Sequence, residues 1–149
     1  MLRQICFFFM LVFVGAVYAD DLDTQSNLAS DVITIKVPQV YQANAGDNTV
    51  AIMRFINHSD KGHVVIAAFS PVAKQIQLRT VVQVKKRNLP VQIHSFALSL
   101  NATTWLGHNQ KHIALLGLTK NLTVGDTVPI AILYRDGSFE TVQAKVVNA

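Results

Sequence analysis

The sequence predicts an all-β protein built as a single domain. Eight short segments rich in Val, Ile, Thr and Phe follow one another at regular spacing, and helical periodicity is hard to find after residue 20. Turn residues separate these segments, and Asp136-Gly137 forms a two-residue hairpin signal between the last two. About eight strands of this kind are typical of a β-sandwich or a small barrel with Greek-key connections.

The first 19 residues are expected to form a secretory signal peptide that is removed on export. Arg3 supplies a positive start, residues 5–14 form an apolar run, and Val17-Tyr18-Ala19 offers small residues for cleavage. A membrane anchor is the alternative, but the apolar stretch at 5–19 has 15 residues, fewer than the roughly 20 that a spanning helix needs. We therefore expect a mature chain that begins at residue 20 and has no membrane span.

The mature chain is predicted to contain a leader and one β domain. Residues 20–30 are polar and acidic and are expected to form a flexible leader, whereas residues 31–149 have the β-rich pattern of the domain. With 149 residues in all, the chain is long enough for one ordinary domain and too short for two. The predicted strands lie at 32–37, 50–56, 63–69, 76–84, 91–100, 112–118, 128–135 and 138–147.

Composition and motifs argue against several classes of function. Removal of the signal peptide removes Cys6, the single cysteine, and with it any cysteine nucleophile or cysteine-based zinc site. We expect no enzyme, because no carboxylate pair is placed for acid–base catalysis, and there is no phosphate-binding glycine loop and no sign of a hydrolase triad. The basic run Lys85-Lys86-Arg87 is short and lacks interleaved aromatic residues, so it predicts a solvated hairpin turn and no nucleic-acid partner.

Three segments of the chain resemble the periplasmic copper chaperones of the PCu(A)C type. They are SPVA at 70–73, HIALLGL at 112–118 and LTVGDTVP at 122–129, in the order and at the spacing typical of that family. The resemblance extends over residues 50–147. It implies a cupredoxin-like Greek-key β-sandwich, a periplasmic location, and binding of copper or its delivery to an extracytoplasmic copper-accepting protein.

The copper ligands of that family follow the spacing His, ten residues, Met, twenty-one residues, His, one residue, Met. Anchored on His112, this spacing places the other ligand positions at Arg79, Pro90 and Ala114. Pro90 and Ala114 carry no donor atom, and Arg79 would repel a cation 4 Å away by roughly 4 kcal/mol at an effective dielectric constant near 20. One ligand position in four is kept, so His112 is the candidate metal ligand.

Two further histidines are secondary candidates for rebuilding a site with His112. His94 shares the strand parity of Pro90, and His108 precedes His112 by four residues across an expected turn. A His108–His112 pair, with or without His94, would suit Cu(II) or Zn(II) better than Cu(I), which prefers softer donors. The other open interpretation is that these histidines pack at the surface or in the core.

Two functions stay open from the sequence. The first is an exported copper-chaperone-like protein that binds or delivers copper although three ligand positions are substituted. The second is a metal-free periplasmic binding or scaffolding module that keeps the family's docking surface and uses Arg79 to hold an anion or a carboxylate. A metal carrier requires two or more donor atoms within about 4–5 Å of one point near His112, and this requirement distinguishes the two functions.

Overall fold

The computed structural model describes residues 27–149, so the predicted signal peptide lies outside the described residues. The all-β prediction is confirmed, since strands dominate this range and its helix is a single short turn. No helix within residues 27–149 is long and apolar enough to cross a membrane. The elements are α1 (Ala29–Val32), β1 (Ile33–Tyr41), β2 (Thr49–Asn57), β3 (His63–Phe69), β4 (Ala73–Val84), β5 (Arg87–Ile93), β6 (Phe96–Leu98), β7 (Thr103–Trp105), β8 (His112–Leu118), β9 (Thr127–Tyr134) and β10 (Phe139–Val147).

The strands form one continuous hydrogen-bonded path with β5 at one end and β6 at the other. The order is β5-β4-β8-β2-β1-β10-β9-β3-β6, and β7 pairs with β2 beside this path. Neighbouring strands are antiparallel, except that β1 and β10 run parallel. Strands distant in sequence therefore lie side by side, as the predicted Greek-key connections require.

The path of strands folds back on itself and encloses the hydrophobic core. Phe55 on β2 and Phe96 on β6 are separated by four strands along the path. Their rings nevertheless meet edge to face, with centroids 5.7 Å apart. Alternate residues of β2 and β9 are buried, as the two-residue period of a strand with one face in a core requires. The two halves of the path therefore face each other as the layers of a sandwich.

Truncation of Phe55 tests this packing across the core. Phe55 is 1% exposed, so we expect Phe55→Ala to lower the free energy of unfolding by about 3–5 kcal/mol, measured by urea denaturation. Phe139→Ala is the matched control, because Phe139 is 65% exposed and its loss should change stability by no more than about 0.5 kcal/mol. Equal losses in the two variants would contradict the description of the core.

The structure corrects the predicted strand at 91–100, which is two strands. β5 ends at Ile93 and pairs with β4, whereas β6 begins at Phe96 and pairs with β3 at the other end of the path. The chain crosses from one end of the path to the other at residues 94–95, and a continuous apolar pattern does not reveal such a change of partner. The structure also contains a short strand that was not among the eight predicted, since Thr103 begins β7 and pairs with Ile56.

The described chain begins against the β9–β10 hairpin. The backbone N–H of Ala29 donates to Asp136 Oδ2 at 2.8 Å, and that of Ser30 donates to Ser138 Oγ at 3.2 Å. Burial alone would raise the pKa of Asp136, but hydrogen bonds from Ser138 and Ala29 outweigh it and hold this pKa below its usual value. Asp136, predicted as a turn residue, therefore also holds in place the backbone that leads into β1.

Candidate metal site

A cavity of about 280 Å³ opens beside β4, β5 and β8, and all four ligand positions of the PCu(A)C spacing line it. Strand pairing brings them together. Arg79 lies directly opposite His112 across the β4–β8 pair, and Val81, two residues further along β4, lies opposite Pro90. Side chains directly opposite each other, and those two residues apart on a strand, share one face of a sheet. Ala114, two residues beyond His112, completes the group.

His112 is held in an orientation suited to binding a metal. Its side chain lies at the start of β8 and is buried, with 5% exposure. The ring Nδ1 lies 2.9 Å from the carbonyl oxygen of Gln110. Because a carbonyl oxygen only accepts, Nδ1 donates in this contact, and in the neutral imidazole the lone pair is then on Nε2. A backbone carbonyl that fixes the tautomer in this way is a recurrent partner of metal-binding histidines.

His108 lines the same cavity as His112. It lies in the loop before β8, which is closed by a hydrogen bond of 3.0 Å from the backbone N–H of Gly107 to the carbonyl of Lys111. The His108 ring packs edge to face against Tyr41, with ring centroids 6.1 Å apart. The structure thus places the two imidazoles on one cavity through a short, closed loop.

His94 is placed elsewhere. It lies immediately after the last residue of β5 and lines a separate cavity of about 150 Å³, together with Phe69 and Ile76. The strand parity that His94 shares with Pro90 does not bring it to His112, because the chain leaves β5 at this point. Of the two secondary candidates, the structure brings only His108 to the cavity of His112.

Arg79 is fixed in the cavity wall by a neighbour on its own strand. Its Nε and Nη2 donate to Gln77 Oε1 at 3.0 Å and 2.9 Å. The side chain is half-buried. Within residues 27–149, no carboxylate lies at ion-pair distance from its guanidinium, and no carboxylate lines the cavity. The site therefore carries a positive charge without a counter-charge from the described chain.

Among residues 27–149, the side chains that line the cavity provide nitrogen donors and no sulfur. Met53 is buried in the core on β2, and Ala114, where the family has a methionine, is 3% exposed and has no donor atom. Among the described residues, no group of three or more His, Cys, Asp or Glu side chains is placed to hold a metal ion. His112 and His108 are the imidazoles that line this cavity in the described part of the chain.

Sequence reasoning did not identify several polar residues of the site. The strand period could have indicated Gln77, because it lies two residues before Arg79 on the same face. Three asparagines also line the cavity, and no local pattern marked them because they come from separate parts of the chain: Asn48, Asn88 and Asn109.

Comparisons with known proteins agree with this fold. The chain matches the model of the LpqE-like family over residues 33–146. No curated protein matches it. The copper-bound PCuAC domain from PmoF2 superposes with a TM-score of 0.65 at 16% identity, covering 78% of this chain and 93% of that domain. The solution structure of CuI-DR1885 from Deinococcus radiodurans superposes with a TM-score of 0.56 at 25% identity, covering 78% of this chain and 80% of that one.

These likenesses confirm two expectations from the sequence. The fold is that of the PCuAC domains, which is the cupredoxin-like sandwich that the sequence motifs implied. The resemblance to PCu(A)C-type proteins is likewise confirmed, and it extends over most of the described chain.

Proposed function

We propose that this chain, which belongs to the LpqE-like family, is an exported protein that binds copper at His112 and delivers it to a partner outside the cytoplasm. One observation carries the proposal. His112, His108 and the three substituted ligand positions all line one cavity. Two structures that share the fold are copper-bound forms, which supports copper as the cargo. The predicted signal peptide at 1–19 supports export to the periplasm.

The donor set favours Cu(II) over Cu(I). His112 offers Nε2 as the first ligand, and Gln110 holds the ring in place through Nδ1–H. His108 supplies the second imidazole from the same cavity. Imidazole nitrogen suits Cu(II), whereas Cu(I) prefers thioether sulfur, which the PCu(A)C ligand spacing supplies from two methionines. The substitutions at Pro90 and Ala114 therefore change the preferred oxidation state of the cargo.

Delivery requires that a partner can reach the metal. Two protein ligands leave coordination positions open, so an acceptor protein can add its own donors before the chain releases the ion. The β4–β5 hairpin lines the cavity with one face and exposes four aliphatic side chains on its other face: Val82, Val84, Leu89 and Val91. An exposed apolar patch of this kind is typical of a protein interaction site. This patch faces away from the cavity, so it is a candidate protein contact beside the metal site and does not cover the metal.

A Cu(II) titration of matched histidine variants tests the proposed site. We expect the unmodified protein to bind one Cu(II), with nitrogen couplings from two imidazoles in its electron paramagnetic resonance spectrum. His108→Ala should remove one coupling and weaken binding by at least about tenfold. His94→Ala is the control and should leave the affinity unchanged, because His94 lines a different cavity. Equal effects of the two substitutions would contradict the site.

The second function, a metal-free binding module, is favoured by one observation. Arg79 lines the cavity with no carboxylate partner among residues 27–149. A carboxylate of a partner protein would satisfy its guanidinium through paired hydrogen bonds. Absence of copper binding, together with capture of a partner that depends on Arg79, would establish this function instead.

A further inference from the structure

We propose that the cavity binds a small carboxylate or carbonate anion on Arg79, and that this anion is a co-ligand of copper on His112. The anion site follows from the residues of the metal-free cavity alone. The role as co-ligand rests on the proposed function, because it requires copper at His112. The two parts are therefore tested separately.

The positive charge of Arg79 favours the binding of an anion in the cavity. Arg79 is half-buried, and no carboxylate lines the cavity within the described part of the chain. Gln77 Oε1 accepts from Nε and Nη2, which leaves the Nη1 hydrogens and one Nη2 hydrogen of the guanidinium free to donate. The same contact holds the planar group in one orientation. A fixed guanidinium with free donors matches the two oxygens of a carboxylate or carbonate group.

The rest of the cavity supplies neutral donors and limits the size of the anion. Asn48 Oδ1 accepts from the backbone N–H of Gly117 at 2.9 Å, so its amide NH₂ remains as a donor. Asn88 and Asn109 add two further amides to the lining. A volume of about 280 Å³ admits a small anion together with a metal ion. Bicarbonate, formate and acetate fit both the size and the planar donor pattern.

The position of Arg79 makes such an anion a ligand for copper. Arg79 lies directly opposite His112 in the β4–β8 pair, so copper on His112 would lie close to the guanidinium cation. An anion between them would offset part of this repulsion, and it would give copper an oxygen donor in addition to the two imidazoles of the chain. Each of the two ligands would then increase the affinity for the other by the same factor.

Titration of the metal-free protein with sodium bicarbonate, and separately with acetate, tests the anion site. We expect saturable changes in amide chemical shifts around the cavity, lost in Arg79→Gln and weakened about tenfold in Arg79→Lys, which keeps the charge but not the planar fork. Arg87→Gln is the control, because Arg87 lies on the opposite face of the β4–β5 hairpin. Shifts that do not saturate, or that persist in a folded Arg79→Gln variant, would overturn the proposal.

Copper affinity measured with and without bicarbonate tests the role as co-ligand. We expect about tenfold tighter Cu(II) binding with bicarbonate, which lies within the usual range of coupling between two ligands. The Arg79→Gln variant should show no such dependence and should bind copper more tightly than the unmodified protein when bicarbonate is absent. Copper binding with no anion binding would overturn this inference and leave the proposed function intact. Anion binding with no copper binding would keep the anion site and contradict the proposed function.

Discussion

The triple variant Arg79→His, Pro90→Met, Ala114→Met should bind Cu(I) about a thousandfold more tightly than the unmodified protein. Removal of the guanidinium relieves a repulsion of roughly 4 kcal/mol, which corresponds to about three decades in affinity. The two methionines add the thioether donors that Cu(I) prefers. All three positions line the cavity of His112, so the new side chains are directed to one site. Competition with a colorimetric Cu(I) chelator measures the effect.

Correct folding of the triple variant decides how its result is read. Ala114 is 3% exposed, so the methionine side chain must extend into the cavity, which has about 280 Å³ to receive it. Circular dichroism and a urea denaturation curve verify folding, and Ala114→Met alone is the matched control for the added volume. A folded triple variant with unchanged Cu(I) affinity would show that these positions do not meet at His112.

His112→Ala should abolish copper binding to the unmodified site. His112 is the one position of the PCu(A)C ligand spacing that keeps a donor atom, and it lines the cavity. Loss of an outer partner of a metal ligand already costs about 10–100-fold in affinity, so loss of the ligand itself should exceed a hundredfold. Isothermal titration with Cu(II) measures the change.

The matched control for this variant is His58→Ala. His58 is exposed, contacts Thr34 Oγ1 through Nε2 at 3.0 Å, and follows the last residue of β2, whereas the cavity lies at the first residues of that strand. His58→Ala should bind copper like the unmodified protein. If the His112→Ala variant keeps the copper affinity of the unmodified protein, copper does not bind in this cavity.

Local signals predicted the strands and turns of this chain well. The hairpin predicted at Asp136-Gly137 forms, but its turn is longer than two residues, because β9 ends at Tyr134 and β10 begins at Phe139. Of the pair, Gly137 takes a positive φ of 88°, which suits glycine, whereas Asp136 does not. The basic run also forms its predicted turn, although Lys85 and Lys86 both take positive φ, a conformation that lysine adopts at a cost. The break at residues 94–95 was not predictable, because it depends on which distant strand each half of the segment pairs with.

The candidate site likewise combines features that sequence patterns predict with features that depend on the pairing of distant strands. The family spacing placed Arg79, Pro90, His112 and Ala114 at one point, and the strand pairing brings them to one cavity. The choice between His94 and His108 depended on the chain leaving β5, which the sequence pattern did not show. Asn48 and Asn109 come from loops whose positions are set by packing between distant strands, so no local pattern could identify them.

A competition titration of the purified protein with Cu(II), Cu(I) and Zn(II) tests the central claim most directly. The claim is that the cavity of His112 has kept copper binding while exchanging sulfur donors for imidazole. The expected result is one tightly bound Cu(II) per chain, with Cu(I) bound far more weakly. Binding of Cu(I) more tightly than Cu(II), or no metal binding above background, would contradict it.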